Sequence, residues 1–375
     1  MTKQRFPFMA IMGQEELSLA LIFNLVNPQI GGVLIRGTKG TGKSTAVYGL
    51  PQIAPKIKVH PSCPYNCLPE EPENWCTFCK EQQTHTAVER AIEVVALPMN
   101  IAEENLLGRI DVERLLKTGE KAFIPGLIAK AHRQILYIDE VNLMPDHITD
   151  SLLDVVASGV NIIEREGFSV QHPAKFLLIG TMNSEEGELR PQILDRFPLS
   201  VTINTVTNLE SRQEIIRRNF AFDEDPAKFA EGFAEVNGLM MNSILQARQL
   251  LPETTISEEL VRKLLDFCIH FVIDGHRSEL VIVKTARAYA ALELKQQVEL
   301  KHLKMAMKLT LLHRTRDGGL KKPVAFSDIE TWFEGIKEDS VPEATFSMDY
   351  DPENLSLLKG GYLSPSKKSE KASQS

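Results

Sequence analysis

Apolar runs and helical periodicities divide the chain into two regions of different character. Short, largely apolar runs such as GGVLIRG, QILYI and KFLLIG are typical of strands buried in a parallel sheet, and helical stretches separate them. From about residue 208 to 336 the apolar residues keep a helical spacing throughout. The pattern predicts an α/β domain over 1–207, with a parallel sheet flanked by helices, and a helical lid domain over 208–336.

Length and charge fit this division and exclude some functions. The 375 residues are enough for two domains, and the formal net charge of −8 argues against a surface that coats nucleic acid. The first twenty residues lack the long apolar core of a signal peptide or membrane span, so we expect a cytoplasmic or plastid-stromal protein. The remaining stretch, 337–375, is expected to be an extension that is disordered toward its polar end.

The loop after the first apolar run carries a phosphate-binding pattern. The motif G-x-x-x-x-G-K-[ST] is matched by Gly37, Gly42, Lys43 and Ser44. It stands between a predicted strand and a predicted helix, which is the context the motif requires. We expect Lys43 to contact the β and γ phosphates and the Ser44 hydroxyl to ligate Mg²⁺. The predicted phosphate-binding residues are Gly37, Thr38, Lys39, Gly40, Thr41, Gly42, Lys43, Ser44 and Thr45.

Polar residues follow two of the later strands. Asp139 and Glu140 come directly after ILYI, at the sheet edge where ligands bind in such folds. Asp139 is predicted to hold Mg²⁺ through water, and Glu140 to orient the attacking water and accept its proton. Asn183 follows KFLLIGTM and is a candidate for positioning that water, although an asparagine that only caps a turn is the alternative.

Three arginines are candidates for stabilising the charge that develops during phosphoryl transfer. Arg190 and Arg196 flank a short helical segment. Arg277 lies in the first turn of a predicted helix, where the helix dipole disfavours a positive charge. A neighbouring subunit is one established source of such a guanidinium, and the alternative is a surface arginine without a catalytic role.

Four of the five cysteines lie in one loop, as C-x3-C followed by C-x2-C. They are Cys63, Cys67, Cys76 and Cys79, within the loop 60–85. In a reducing compartment this spacing favours a metal site over disulfides, and two close thiolate pairs suit structural Zn²⁺. Redox-sensitive thiols, an iron–sulfur cluster and unpaired cysteines remain alternatives. Cys268, on an apolar helical face, is predicted to be a core residue.

The motifs, taken in order, resemble those of AAA+ ATPases. GTKGTGKS, LYIDE, GTMN, LRPQILDRF and GHRSEL occur in the expected sequence and are followed by the helical region. The longer blocks FPFMAIMGQEELSLAL and AFIPGLIAKAHRQILYIDEVNLMPDH are similar to the I subunits of magnesium chelatases, and the similarity extends from about residue 6 to about 330. It implies that the phosphate loop is Walker A, that Asp139 and Glu140 form Walker B, and that Asn183 is sensor 1.

The resemblance also implies roles for two arginines, an adenine-binding segment and partners. Arg196 matches the arginine finger that acts on the neighbour's ATP, and Arg277 matches sensor 2, which reads the γ phosphate from the lid. Ile11 to Gln14 match the segment beside the adenine. Such subunits form rings, commonly hexameric. With a D subunit, their ATP hydrolysis drives a large H subunit to insert Mg²⁺ into protoporphyrin IX for chlorophyll synthesis. The resemblance thus predicts the motor subunit of a magnesium chelatase.

Two stretches depart from this family. The four-cysteine loop is not typical of the chlorophyll enzymes, so a MoxR-like or cobaltochelatase-type AAA+ chaperone is an alternative. A regulatory module with a dead site is a third reading, against which the complete set of site residues argues. The stretch LPMNIAEENLLGRIDVERLL, 97–116, also differs from the family's usual wording and is expected to form an amphipathic helix with flanking loops.

Overall fold

The computed structural model describes residues 4–82, 86–118, 122–165, 168–187 and 189–334. The strands are β1 (Gly32–Gly37), β2 (Ile57–Val59), β3 (Val88–Arg90), β4 (Val94–Leu97), β5 (Gly108–Ile110), β6 (Phe123–Pro125), β7 (Ile135–Ile138), β8 (Val160–Arg165), β9 (Phe168–Pro173), β10 (Leu177–Met182) and β11 (Leu199–Ile203). The α-helices are α1 (Glu15–Val26), α2 (Lys43–Gly49), α3 (Thr77–Gln82), α4 (Glu103–Leu107), α5 (Val112–Thr118), α6 (Leu127–Ala131), α7 (Asp146–Ser158), α8 (Pro191–Leu194), α9 (Leu209–Glu224), α10 (Pro226–Gly232), α11 (Ala234–Leu250), α12 (Glu258–His270), α13 (Arg277–Leu292), α14 (Leu300–Leu311) and α15 (Phe326–Trp332). The predicted extension 337–375 and residues 83–85 of the predicted cysteine loop lie outside the described residues.

A five-stranded parallel sheet has the order β11-β1-β10-β7-β4. Its strands pair in register, for example Ile35 with Thr181 and Ile179 with Tyr137. The carboxyl ends of parallel strands meet at one edge, and β1, β10 and β7 are direct neighbours. The phosphate loop and the polar residues after β7 and β10 therefore meet at that edge.

Both faces of the sheet are covered, which explains why its strands are apolar at nearly every position. Val33 and Ile35 of β1 join a core that includes α1, whereas Leu34 faces the opposite core with residues of α7. The four residues of β7 are all buried. The predicted α/β class with a flanked parallel sheet is confirmed.

The region after β11 is helical, from α9 to α15. Side-chain caps start several of these helices: Asn208 Oδ1 accepts from the Ser211 N–H at 3.0 Å, and Ser257 Oγ accepts from the Leu260 N–H at 3.3 Å. The helices share their own apolar core, and α13 also packs on α1, where the Phe23 and Tyr289 rings lie 5.0 Å apart. No helix of the described ranges is long and apolar enough to cross a bilayer.

The prediction of one amphipathic helix with flanking loops within 97–116 was wrong. The stretch forms two short helices, α4 and α5, separated by β5, which pairs with β6 in an antiparallel hairpin. The reason is Gly108, whose φ of 118° breaks the helix, and where a Cβ would lie 2.3 Å from the Phe123 ring. The glycine inside the stretch therefore ends the first helix, and the apolar residues do not form one continuous buried face, since Leu116 is 81% exposed.

Candidate nucleotide-binding site

The phosphate loop connects the end of β1 to the start of α2. Gly40 and Gly42 both have a φ of 82°, in the left-handed region that glycine adopts without strain. At Gly37 the neighbouring strand is the constraint, since a Cβ there would lie 2.6 Å from the Ile203 carbonyl oxygen. Within the loop the Thr41 hydroxyl donates to the Thr38 carbonyl at 3.0 Å. The backbone thus has the shape of a cradle that side chains would fill.

The ammonium group of Lys43 lies at the centre of this loop. Lys43 Nζ donates to the carbonyl oxygens of Gly37 at 2.5 Å and Thr38 at 3.0 Å. Burial lowers the pKa of Lys43, while the carboxylates of Asp139 and Glu140 act in the opposite direction. The ammonium group of Lys43 therefore lies inside the loop whose N–H groups are predicted to surround a phosphate.

A hydroxyl of α2 and a carboxylate at the end of β7 are linked through Tyr137. Ser44 Oγ lies 3.0 Å from the Tyr137 hydroxyl, which donates to Asp139 Oδ1 at 3.0 Å, and Thr181 Oγ1 donates to the same oxygen at 2.6 Å. Burial raises the pKa of Tyr137 to about 12, so its hydroxyl stays a neutral donor. Hydroxyl and carboxylate oxygens are the ligands that Mg²⁺ prefers, so this donor set fits the ion.

Glu140 is held in an unusual backbone conformation. Its φ of 52° and ψ of 55° are left-handed, which costs a residue with a Cβ about 1 to 3 kcal/mol. Its N–H donates to Thr181 Oγ1 at 3.2 Å, and its carboxylate lies 3.5 Å from Lys39 Nζ. Lys39 also pairs with Glu186 at 2.6 Å. These contacts direct the carboxylate toward the phosphate loop.

Asn183 is buried, with 4% of its surface exposed. Its Oδ1 accepts from the Glu185 N–H at 3.3 Å, so the side chain caps the short turn of helix that follows β10. It also lines the cavity that contains the phosphate loop. Asn183 therefore caps a turn and also lines the phosphate-loop cavity, so the cap does not remove it as a candidate site residue.

A cavity of about 790 Å³ connects these groups with an apolar wall. Its lining includes the phosphate loop, Asp139, Glu140 and Asn183, together with residues 10–12 and two isoleucines of α9, Ile215 and Ile216. Gln14 Nε2 donates to the Thr41 carbonyl at 3.3 Å and ties the N-terminal segment to the loop. The arrangement offers a polar end for phosphates and an apolar end for a flat base. No motif in the sequence indicated that α9 lines this cavity.

Arg196 and Arg277 are together, but in a second cavity, of about 590 Å³. Neither is among the residues that line the phosphate-loop cavity. Burial lowers the pKa of Arg277, and the neighbouring charge of Arg196 lowers it further. Arg190 is placed differently again, 3.0 Å from an oxygen of Asp146. The predicted arginine finger, Arg196, and the predicted sensor 2 residue, Arg277, therefore line one cavity that is separate from the chain's own phosphate-loop cavity.

The four cysteines of the 60–85 loop converge. All four are buried, and their sulfur atoms lie within 4.8 Å of one another, with Cys63 Sγ and Cys76 Sγ 3.7 Å apart. Tetrahedral zinc with Zn–S bonds of about 2.3 Å places sulfur atoms about 3.8 Å apart, so the cluster has the dimensions of a zinc site. Backbone N–H groups of Tyr65 and Cys76 point at two of the sulfur atoms. Cys268 lies apart, 2% exposed in the core of the helical region.

Tyr137 and Thr181 are the site residues that the sequence prediction missed. Each stands two positions before a predicted site residue, Asp139 and Asn183 respectively, and so lies on the same side of its strand. A polar side chain at alternate positions near the end of an otherwise buried strand was the available signal.

Comparisons with known proteins give the family. The model of the AAA domain (dynein-related subfamily) matches residues 80–197, and that of the AAA lid domain matches residues 262–332. The magnesium-chelatase subunit ChlI homolog of Methanocaldococcus jannaschii is 45% identical over 321 residues, 85% of this chain and 87% of that protein. The magnesium-chelatase 38 kDa subunit of Acidiphilium rubrum is 44% identical over 87% of this chain and 95% of its own length. The chain belongs to the magnesium-chelatase ChlI/38 kDa subunit family.

Solved structures agree with this membership of the chelatase I-subunit family. A chain in the reconstruction of the complex between subunits BchI and BchD of magnesium chelatase is 41% identical, with a TM-score of 0.50, over 88% of this chain and 99% of that chain. A putative ATPase from Cytophaga hutchinsonii has a TM-score of 0.56 at 16% identity, over 87% of this chain and 90% of that one, and shares the fold alone. The resemblance to chelatase I subunits is therefore confirmed. The chain is an AAA ATPase, and this class of enzyme uses ATP with Mg²⁺.

Proposed function

We propose that this chain is the ATP-hydrolysing motor subunit of a magnesium chelatase, which drives insertion of Mg²⁺ into protoporphyrin IX. The observation that carries the proposal is the convergence of Lys43, Ser44, Asp139, Glu140 and Asn183 on one cavity, in a chain 44% identical to a magnesium-chelatase subunit over most of its length. The metal inserted is a substrate, separate from the Mg²⁺ that accompanies ATP. Mg²⁺ gives up its water reluctantly, so coupling its insertion to a motor is chemically reasonable.

The chain's own residues divide the work in the phosphate-loop cavity. The loop's N–H groups and Lys43 bind and orient the phosphates. Ser44 and Asp139 would hold Mg²⁺, which neutralises phosphate charge when bound. Glu140 orients the attacking water and accepts its proton, and Asn183 holds that water or the terminal phosphate in place. The adenine lies along the wall formed by Ile11 to Gln14 and α9.

The arginines require a second copy of the chain. Phosphoryl transfer needs a positive charge beside the terminal phosphate, and the geometry favours supply from a neighbour, because Arg196 and Arg277 line a separate cavity. We assign Arg196 as the finger and Arg277 as sensor 2 for the adjacent subunit's ATP. A closed ring, with six copies as the proposed number, gives every site such a neighbour.

Partners and location follow from the same assignment. We propose that the ring works with a D subunit, as the solved BchI–BchD complex suggests, and with an H subunit that holds the porphyrin. The buried free thiols suit a reducing compartment, so we propose the cytoplasm, or the stroma in a plastid-bearing organism.

Reconstitution tests the proposed reaction. The chain is mixed with D-type and H-type chelatase subunits, protoporphyrin IX, Mg²⁺ and ATP, and magnesium porphyrin is followed by its fluorescence. We expect product that depends on ATP and is lost when Glu140→Gln replaces the native chain. Robust ATP hydrolysis without magnesium porphyrin would favour a chaperone for another metalloprotein.

We further propose that Cys63, Cys67, Cys76 and Cys79 hold one structural Zn²⁺. Support comes from the mutual distances of the sulfur atoms and from the contact of this loop with the β8–β9 hairpin, where the Tyr65 and His172 rings lie 4.8 Å apart. A zinc-closed loop would fix Tyr65 and so steady the hairpin.

Elemental analysis decides between zinc and the other readings of the cysteines. Protein purified without added metal should contain about one zinc per chain. Cys79→Ser should lose it, and Cys268→Ser, a buried cysteine outside the cluster, should keep it. Iron with visible absorption would indicate an iron–sulfur cluster, and a folded, metal-free native chain would reject a metal site.

A further inference from the structure

The end of α14 contacts the turn that carries Arg196. Two residues just after the helix, His313 and Arg314, reach across to it. His313 Nε2 lies 3.2 Å from the Phe197 carbonyl oxygen, and Arg314 Nη2 donates to the same oxygen at 3.4 Å. Arg314 Nη1 lies 3.5 Å from Asp195 Oδ1. The residues on both sides of Arg196 are thus bonded to the lid.

The turn is also fixed by packing against the parallel sheet. Phe197 is 1% exposed and packs directly on β10, where a Cβ on Gly180 would lie 2.7 Å from its ring. The short helix α8 leads into the turn, and the Arg196 N–H donates to the Ile193 carbonyl at 3.0 Å. Asp195, Arg196 and Arg314 all line the cavity of about 590 Å³, so the contact between the turn and the lid forms part of its wall.

An arginine at position 314 lowers the stability of the fold. It is 6% exposed, and its Nε has no hydrogen-bond partner among the described residues. Burial lowers the pKa of Arg314. The carboxylate of Asp195 opposes that effect, whereas the positive charge of Arg277 lowers the pKa further. Burying a guanidinium with incomplete pairing costs stability, so packing alone does not account for an arginine at this position.

We propose that Arg314 is a positioning residue that fixes the Arg196 turn to the lid, so that the orientation of the lid determines where the Arg196 guanidinium points. The inference rests on the proposed role of Arg196 as a finger for the neighbouring subunit. It adds a physical link between the lid and that finger. A movement of α14 in one subunit is transmitted through Phe197 and Asp195 to the ATP of the next.

The test uses Arg314→Met, which keeps the length of the side chain but removes its hydrogen bonds. ATP affinity, measured with a fluorescent nucleotide, should stay within about twofold, since Arg314 does not line the phosphate-loop cavity. Turnover should fall about 10- to 100-fold, because a displacement of about 1 Å at a catalytic group has that effect. Arg314→Lys should recover part of it, since an ammonium can still reach the Phe197 carbonyl.

Mixed rings distinguish a displaced finger from a damaged subunit. A subunit with Arg314→Met has an intact phosphate-loop cavity, and a Glu140→Gln subunit has an intact finger turn. Mixing the two should restore turnover, as it should for Arg196→Ala with Glu140→Gln. The matched control is Arg316→Met. Arg316 is a lid arginine that donates to the Lys322 and Phe271 carbonyls instead, so the turnover of this variant should remain at the native level.

Each contrary result has a separate meaning. If Arg196→Ala recovers in mixed rings and Arg314→Met does not, Arg314 has no role through the finger, and the proposed motor function stands. If neither recovers, the finger does not act on a neighbour, and both proposals fail. Native turnover in Arg314→Met refutes the positioning role. Should that variant fold poorly, Asp195→Ala removes the carboxylate that Arg314 contacts and must show the same recovery.

Discussion

At the scale of single residues, the phosphate-loop cavity depends on charges held close to one another. Lys43 is anchored by two carbonyls, and the carboxylates of Asp139 and Glu140 lie near enough to act on its pKa. Tyr137 and Thr181 both donate to one oxygen of Asp139. A substitution here should therefore change function much more than folding.

Lys43→Ala should remove the cation that the phosphates meet. We expect nucleotide binding to be lost, or turnover to fall at least about 100-fold, as when other transition-state donors are removed. Equilibrium binding and steady-state ATPase assays measure both. Lys263→Ala, which removes an exposed ion pair with Glu259 on α12, should behave like the native chain. Ordinary ATPase activity in Lys43→Ala would refute the site.

Buried histidines should make the fold sensitive to acid. Burial lowers the pKa of His132 to about 3, and its Nδ1 accepts from the Lys175 N–H at 3.0 Å. The unfolded chain binds a proton near pH 6.5 and the folded chain does not, so stability falls as the pH drops below 6.5. At pH 5 this single histidine should cost about 2 kcal/mol.

Denaturant unfolding at pH 7 and pH 5 measures this effect. His132→Gln keeps an acceptor but cannot titrate, so its loss of stability between the two values should be smaller than that of the native chain. His276→Gln is the control, because the His276 side chain is 93% exposed. Equal pH dependence in His132→Gln and the native chain would remove His132 as the cause.

At the scale of elements, the close approach of β1 and β11 requires glycine at the first position of the phosphate-loop motif, Gly37. A Cβ at Gly37 would lie 2.6 Å from the Ile203 carbonyl, so Gly37→Ala should destabilise the chain by about 1 to 3 kcal/mol. Gly238, within α11, has open space around its Cα, and Gly238→Ala should stabilise by about 0.5 to 1 kcal/mol. Unfolding midpoints compare the two, and a harmless Gly37→Ala would contradict the geometry.

The elements were largely predictable because their patterns are local. Apolar runs identified β1, β7 and β10, and the helical spacing of apolar residues after about residue 208 identified the helical region. What was missed depends on contacts far apart in the chain. The α4–β5 break arises from the packing of Phe123 on Gly108, and the wall from α9 joins the cavity through the tertiary fold.

At the scale of the whole molecule, the sequence predicted candidate site residues but not where in the fold they meet. It identified Arg196 and Arg277 by motif but had no means of showing that both lie in a second cavity. Only the order β11-β1-β10-β7-β4 and the packing of the lid place them there. The division of the site between two surfaces of one chain is the central feature of the proposed function.

Mixed rings of Arg196→Ala and Glu140→Gln subunits test that feature most directly. Each variant alone should bind ATP, and Arg196→Ala should hydrolyse it at least about 1,000-fold more slowly than the native chain. In a 1:1 mixture about a quarter of the sites combine an intact Glu140 with a neighbour's intact Arg196, and turnover should recover accordingly. Mixtures as inactive as the separate variants, or an Arg196→Ala protein that keeps native turnover, would contradict a site shared between adjacent copies.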